Sequence, residues 1–179
     1  MGFDFRNEYR RKLVGADDAV RIVRSGDLID YGFGLNMPNV LDAALARRKD
    51  DLRNVTIRVD FGFWPHHSLE ADSTGEHFKW ISWHFSPIER KFYEQGKIAY
   101  IPMKFFECPR MIKQDCDPCR VVMLQTGPMD RHGYFNFGLS ATALWEAIET
   151  AEHLIIEVNE NMPRVLGCSR ECVHISRVT

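Results

Sequence analysis

The chain has 179 residues, 45% hydrophobic and 27% charged, with 23 Lys+Arg against 25 Asp+Glu, a net charge of −2 and a pI near 6.4. This describes one globular domain, large enough to bury a core without a disulfide or metal staple. It excludes nucleic acid as the main partner, since neutralising phosphates needs a surplus of Lys and Arg, and no apolar run approaches the ~18 residues of a membrane span.

The N-terminus, Met1 to Lys12, is charged and aromatic rather than signal-like, and Arg6 stands where a myristoylation motif needs Ser or Thr. Five Cys beside seven His fit reduced thiols better than a disulfide framework. The expected compartment is the cytoplasm.

In chain order, Ala16, Ala19, Val20 and Val23 share one helical face, with Asp17 and Asp18 at the positive dipole end and Ser25-Gly26 as the stop. Leu28 to Tyr31 reads as a strand entering the turn Gly32-Phe33-Gly34-Leu35-Asn36-Met37, and Pro38 suits the first position of a helix carrying Leu41, Ala44 and Leu45. Val55 to Val59 is a β-branched strand. A long aperiodic loop is expected over Asp60 to His77, and Trp80 to Phe85 is ambiguous. Ser86-Pro87-Ile88-Glu89 is a capping box that opens a helix ending at Gln95-Gly96.

Ile98 to Ile101 is a further strand, Phe105 to Lys113 a short helix, and Arg120 to Gln125 a buried strand. Thr126 to Gly133 is turn chemistry throughout. Ser140 is the expected cap of a helix with Ala143, Leu144, Ala147 and Ala151, and His153 to Val158 is the last strong strand. The βαβα order implies an α/β fold with a mostly parallel sheet and helices on both faces. Ligands in such sheets gather at the carboxyl ends of strands, so the loops after Tyr31, Gln125 and Val158 form the candidate site.

The loop from Gly32 to Pro38 could bring backbone close to a ligand or cradle an anion, or be a plain tight turn; it is neither G-x-G-x-x-G nor a P-loop. Cys116-x2-Cys119 and Cys168-x3-Cys172 have spacings near those of zinc sites, although buried free cysteine is the commoner state. His66, His67, His77 and His84 crowd near Trp64, Trp80 and Trp83 without a metal-site pattern. Asp130 and His132 could act as an acid/base pair if their loop shifts their pKa values. Trp64, Trp80, Trp83 and the Phe3/Phe5 terminus are expected to form an exposed apolar face, and large exposed patches mark interfaces.

Four ordered stretches, "YRRKLVGADDAVRIVRSGDLIDYGFGLNMPNVLDAALARR", "SPIERKFYEQGKIAYIP", "GPMDRHGYFNFGLS" and "IIEVNENMPRVLG", resemble the N-terminal domain of the acetyl-CoA hydrolase/transferase family. Its members include acetate, butyryl and 4-hydroxybutyrate CoA-transferases. The resemblance runs from about Tyr9 to Ser176. It implies that residues 1–179 are an N-terminal domain, that the active site lies in a cleft against a C-terminal domain or subunit, and that dimers or other homo-oligomers form.

It also implies ping-pong transfer of CoA from an acyl-CoA to a small carboxylate through a glutamyl-CoA thioester. The attacking glutamate is expected beyond this chain, so no residue of these 179 is assigned as catalytic. Coenzyme A enters as substrate, with no cofactor or metal. Carried over position by position, Gly32, Phe33, Gly34, Asn36, Met37 and Pro38 lie beside the reacting acyl group. Gly127, Asp130, His132, Gly133, Tyr134 and Asn159 follow along the same cleft. Two departures stand out: Phe33, where some relatives carry His, and the Cys168 to Cys172 segment. An acetyl-CoA hydrolase, a CoA- or partner-binding module without chemistry, and a zinc-binding structural domain are the alternatives.

Overall fold

The computed structural model describes residues 5–167 and 170–179. The expectations placed on Phe3 and Cys168 fall outside them. The described residues build a six-stranded, wholly parallel sheet in the order β4-β3-β2-β1-β5-β7. Its strands are β1 (Leu28–Gly34), β2 (Val55–Gly62), β3 (Phe78–Ser82), β4 (Ile98–Tyr100), β5 (Val121–Thr126) and β7 (His153–Val158). A small antiparallel ribbon pairs β6 (Tyr134–Asn136) with β8 (Cys172–His174).

Side-chain alternation along the strands divides the core into two layers. Val121 and Met123 of β5 point into one layer with Leu41 and Leu45 of α3 (Asn39–Arg47), Leu69 of α4 (His67–Ala71) and Phe92 of α5 (Pro87–Glu94). Val122 and Leu124 point into the other, against Ile112 of α6 (Cys108–Gln114) and Leu144 and Ile148 of α7 (Leu144–Thr150). Helices therefore cover both faces. The chain grows outward from β1 to β4, then returns to place β5 on the other side of β1, so the direction of winding reverses between β1 and β5. Ligand crevices in open α/β sheets lie at such a reversal, outside the carboxyl ends of the strands.

Several local expectations are corrected. The helix expected over Ala16 to Val23 is a four-residue α2 (Ala16–Ala19) that tightens into a 3₁₀ turn at Val20–Ile22, and Val23 is already extended. β1 does not stop at Tyr31 but runs to Gly34, and Pro38 precedes the first helical residue of α3. The long loop from Asp60 is shorter than expected, because β2 continues to Gly62 and α4 intervenes. Ser140 does not cap α7, which begins after Ala143 with no side-chain cap. The capping box is present in full: the Ser86 hydroxyl accepts the Ile88 amide, and Glu89 accepts that of Ser86.

Trp80 and Trp83 are 1% and 7% exposed, and Trp64 is half-buried, so they do not form an outer apolar face. Trp80 packs edge-on against Tyr31 and flat against His66 inside the core. Exposed large apolar side chains lie elsewhere, among them Phe63, Phe105, Phe106 and Leu139, which are 50% to 77% exposed. No helix among the described residues is long and apolar enough to cross a membrane.

Candidate functional site

The parallel ladder between β1 and β5 stops at the pair Asp30/Val122, and the two strands then part. Asn36 closes the gap. Its side-chain amide donates to the Gln125 and Phe137 carbonyls at 2.9 and 2.8 Å, and its backbone carbonyl accepts the Gln125 amide. Both amide protons are thereby committed to bracing the loop. Met37 and Pro38 are buried beneath it, with Met37 in the core.

The amides at the start of α3 that could hold an anion already have one. Glu157 at the end of β7 accepts Val40 and Leu41 N–H, both at 2.9 Å, and placing a carboxylate at a helix N-terminus is favourable. Gln125 donates to the other oxygen of Glu157, and Asn159 donates to the Gln125 side chain, each within 2.9 Å. Asn159 thus ties the loop after β7 to β5.

On the other side of β1, its pairing with β2 slips twice: Asp30 faces Arg58, Phe33 faces Asp60, and Gly34 faces Gly62. The first slip is a bulge at Gly32 (φ +68), whose amide donates to Asp30 Oδ1. A Cβ at Gly32 would lie 2.7 Å from Leu124 and Leu144, so only glycine lets β5 and α7 pack this close. The second slip is a bulge at Phe61, which adopts φ +67, an outlier for a bulky side chain.

The bulges turn a set of rings outward together. Phe61 stacks with Phe33 at 6.1 Å and meets Phe63 and His84 at 4.8 Å, while Phe105 lies 5.9 Å from Phe33. The end of β2 that carries them is held by Glu89, fully buried, which accepts the Gly62 amide at 2.7 Å and faces His66 Nε2 at 3.2 Å. Burial alone would raise the Glu89 pKa, but hydrogen bonds from His66, Ser86 and Gly62 outweigh it and hold the carboxyl at about 2.

Beneath the rings lies a buried polar cluster. Arg58 Nε pairs with Asp30 at 2.7 Å, both side chains almost wholly enclosed. Asp60 is 3% exposed, its Oδ1 has no hydrogen-bond partner, and burial pushes its carboxyl up to about 7. Gly32, Phe33, Asp60 and Trp83 line a cavity of about 10 Å³.

The second group of expected site residues gathers around the β6–β8 ribbon, where Gly127, Asp130 and Tyr134 line a separate cavity of about 40 Å³. Asp130 Oδ1 accepts the His132 and Tyr134 amides at 2.8 and 3.0 Å. Burial raises its pKa, but those amides and Arg164 outweigh it, so the shift is downward. His132 faces Arg131 rather than the carboxylate. The acid/base pairing expected of Asp130 and His132 is therefore replaced by a turn that Asp130 stabilises. Gly133, at φ +85 and packed against Phe5 and His174, closes that turn.

For a metal, Cys119 is buried with its thiol pushed up to about 12 by burial, which keeps it protonated, while Cys116 is half-buried. No three His, Cys, Asp or Glu side chains converge among the described residues. Sequence reading missed Asp60, Phe61, Phe105, Gln125 and Glu157. The two last carry a legible signal, as polar residues at the ends of apolar strands, whereas Asp60 and Phe61 were hidden by the loop expected there.

A family model described as the acetyl-CoA hydrolase/transferase N-terminal domain matches residues 3–179. A probable butyrate:acetyl-CoA coenzyme A-transferase of Syntrophomonas wolfei is 50% identical over 171 residues, covering 96% of this chain and 38% of that protein. The butyryl-CoA:acetate CoA-transferase of Anaerostipes caccae is 45% identical over 174 residues, or 97% of this chain and 39% of that protein. The crystal structure of RipA from Yersinia pestis shares the fold with a TM-score of 0.87 at 27% identity, covering 98% of this chain and 43% of RipA. The chain thus spans about two fifths of the length of these relatives. By extent of match and by identity, it belongs to the acetyl-CoA hydrolase/transferase family and corresponds to its N-terminal domain.

Proposed function

We propose that this chain is the N-terminal half of a CoA-transferase that moves CoA between an acyl-CoA and a small carboxylic acid of the acetate, butyrate or 4-hydroxybutyrate type. The observation that carries the reading is the match of nearly all of this chain to about two fifths of each of the two butyrate–acetate transferases. CoA is substrate, no other cofactor takes part, and the working particle is an oligomer in which a C-terminal domain or subunit covers the carboxyl edge of the sheet.

A glutamate of that C-terminal half attacks the acyl-CoA carbonyl and expels CoA thiolate, forming a mixed anhydride. The thiolate then attacks the glutamyl carbonyl, releasing the first acid as carboxylate and leaving a glutamyl-CoA thioester. A second carboxylate reverses the sequence and departs as its acyl-CoA. Splitting the exchange this way replaces one difficult step by easier ones. The loop from Gly32 to Pro38 sits beside the acyl group, with Phe33 facing it, and Asn159 and the Gly127–Tyr134 turn, which has a cavity of its own, lie farther along the edge that the C-terminal half covers.

Asn36 and Asn159 position these loops through Gln125. The ring cluster around Phe33 and Phe61 favours transfer over hydrolysis, because apolar walls keep water from reactive acyl intermediates. Butyryl-CoA and isotopically labelled acetate test the reading. The chain assembled with its C-terminal half is expected to form labelled acetyl-CoA, and the 179 residues alone to form none above background. Exchange by the chain alone, or none by the assembly, contradicts it.

A further inference from the structure

Asp60 has no part in the transfer steps above, yet it is the least compensated charge at the candidate site. It lies on β2 directly opposite Phe33, at the floor of the cavity that Phe33, Gly32 and Trp83 also line. Its Oδ1 and the Trp83 indole N–H both lack a close hydrogen-bond partner, and the indole N–H favours the ionised carboxylate only enough to offset part of the cost of burial. The other charges nearby are matched: Arg58 is paired with Asp30 at 2.7 Å, and Glu89 of α5 with His66. His84, after β3, stands 4.0 Å from Asp60 Oδ1 with half its side chain in solvent, and the Cys108 thiol of α6, also lining the cavity, is pushed up to about 12 by burial.

The residue that follows Asp60 is the strained Phe61, whose ring stacks on Phe33, a lining residue of that cavity. Strain of this kind persists where surrounding structure enforces it, and it clusters at ligand sites.

We propose that Asp60 is a specificity-determining residue of the acyl site, where its buried carboxylate, opposite Phe33, turns away acyl groups that end in a second carboxylate and leaves short uncharged chains as the preferred cargo. The proposal rests on the reading of the chain as half of a CoA-transferase. Two carboxylates brought together in a water-poor pocket repel, and a repulsive element is a common means of discriminating between similar ligands. The rings around it supply the matching attraction for a methylene chain.

The experiment compares succinate with butyrate as acceptor in the assembled enzyme and reads the ratio of their kcat/KM values. Asp60→Asn and, as a smaller second variant, Asp60→Ser are expected to raise the succinate/butyrate ratio at least tenfold at pH 8. In the unsubstituted enzyme the ratio should climb more steeply from pH 8 to pH 6 than in either variant, because protonation of Asp60 removes the repulsion while succinate titrates alike in all three. A ratio unchanged by both substitutions while butyrate is still turned over overturns the role of Asp60 alone. Failure of the assembled enzyme to transfer CoA to any acid overturns both this role and the transferase reading.

Discussion

Asn36, Gly34 and Asp60 show how single residues set the edge of the sheet. Asn36→Ala removes two buried hydrogen bonds and leaves the Gln125 and Phe137 carbonyls without that donor. A loss of roughly 1–3 kcal/mol in urea unfolding is expected; a change within error would mean the loop is held by other contacts. Gly34 has φ +57, and a Cβ there would lie 3.3 Å from Phe63 and from Ser140. Gly34→Ala should therefore cost about 1–2 kcal/mol whether or not a ligand is bound, and an unchanged unfolding midpoint would contradict this. For the same reason Phe33 and Asp60 are better positions than Gly34 for probing substrate contact. The Asp60 carboxyl is raised to about 7, so the native state binds more protons than the unfolded chain between pH ~4 and ~7, and this group's contribution to stability falls as pH rises through that window. Asp60→Asn should gain stability over the parent by roughly 1–3 kcal/mol at pH 8 relative to pH 5. Parallel pH–stability curves for the two would refute it.

At the scale of elements, α5 and β2 are joined through Glu89, which serves the capping box of its own helix and also holds the Gly62 amide and His66. Its pKa is lowered to about 2. The stability it contributes is complete above the unfolded value near pH 4.5 and is lost as pH falls toward 2. Glu89→Ala, which leaves these buried partners uncompensated, should cost about 3–5 kcal/mol at pH 7 and much less at pH 2.5, as measured by chemical denaturation at the two pH values. An equal cost at both would show that Glu89 does not stabilise the fold through its ionised form. The capping box was legible in the sequence because its signal is local, four consecutive residues with the right chemistry. So were the apolar strands β5 and β7. The Phe61 bulge was not, because a strand that slips register by one residue breaks the period-2 pattern on which a strand is recognised. The short helix α2 was overestimated for a related reason: the apolar face of Ala16, Ala19, Val20 and Val23 does pack inward, but through a 3₁₀ turn and an extended residue.

For the whole molecule, alternation of strands and helices sufficed to give a parallel sheet covered on both faces, and the reversal between β1 and β5 follows from where β5 is inserted. Composition alone misled about the surface: tryptophans at 1% and 7% exposure are core, and the exposed large apolar groups include the phenylalanines Phe63, Phe105 and Phe106 instead. The carboxyl edge of the sheet combines an apolar ring cluster with the buried Asp60 carboxyl, and its other carboxylates, Glu89 and Glu157, are held by backbone amides; under the proposed function the attacking glutamate belongs to the C-terminal half. Peptide mapping of a trapped covalent adduct tests this most directly. After the assembled enzyme is incubated with butyryl-CoA and quenched, the CoA thioester is expected on a glutamate of the C-terminal half and on no carboxylate of this chain. A CoA adduct on Asp60, Glu157 or any other residue of this chain would contradict the account.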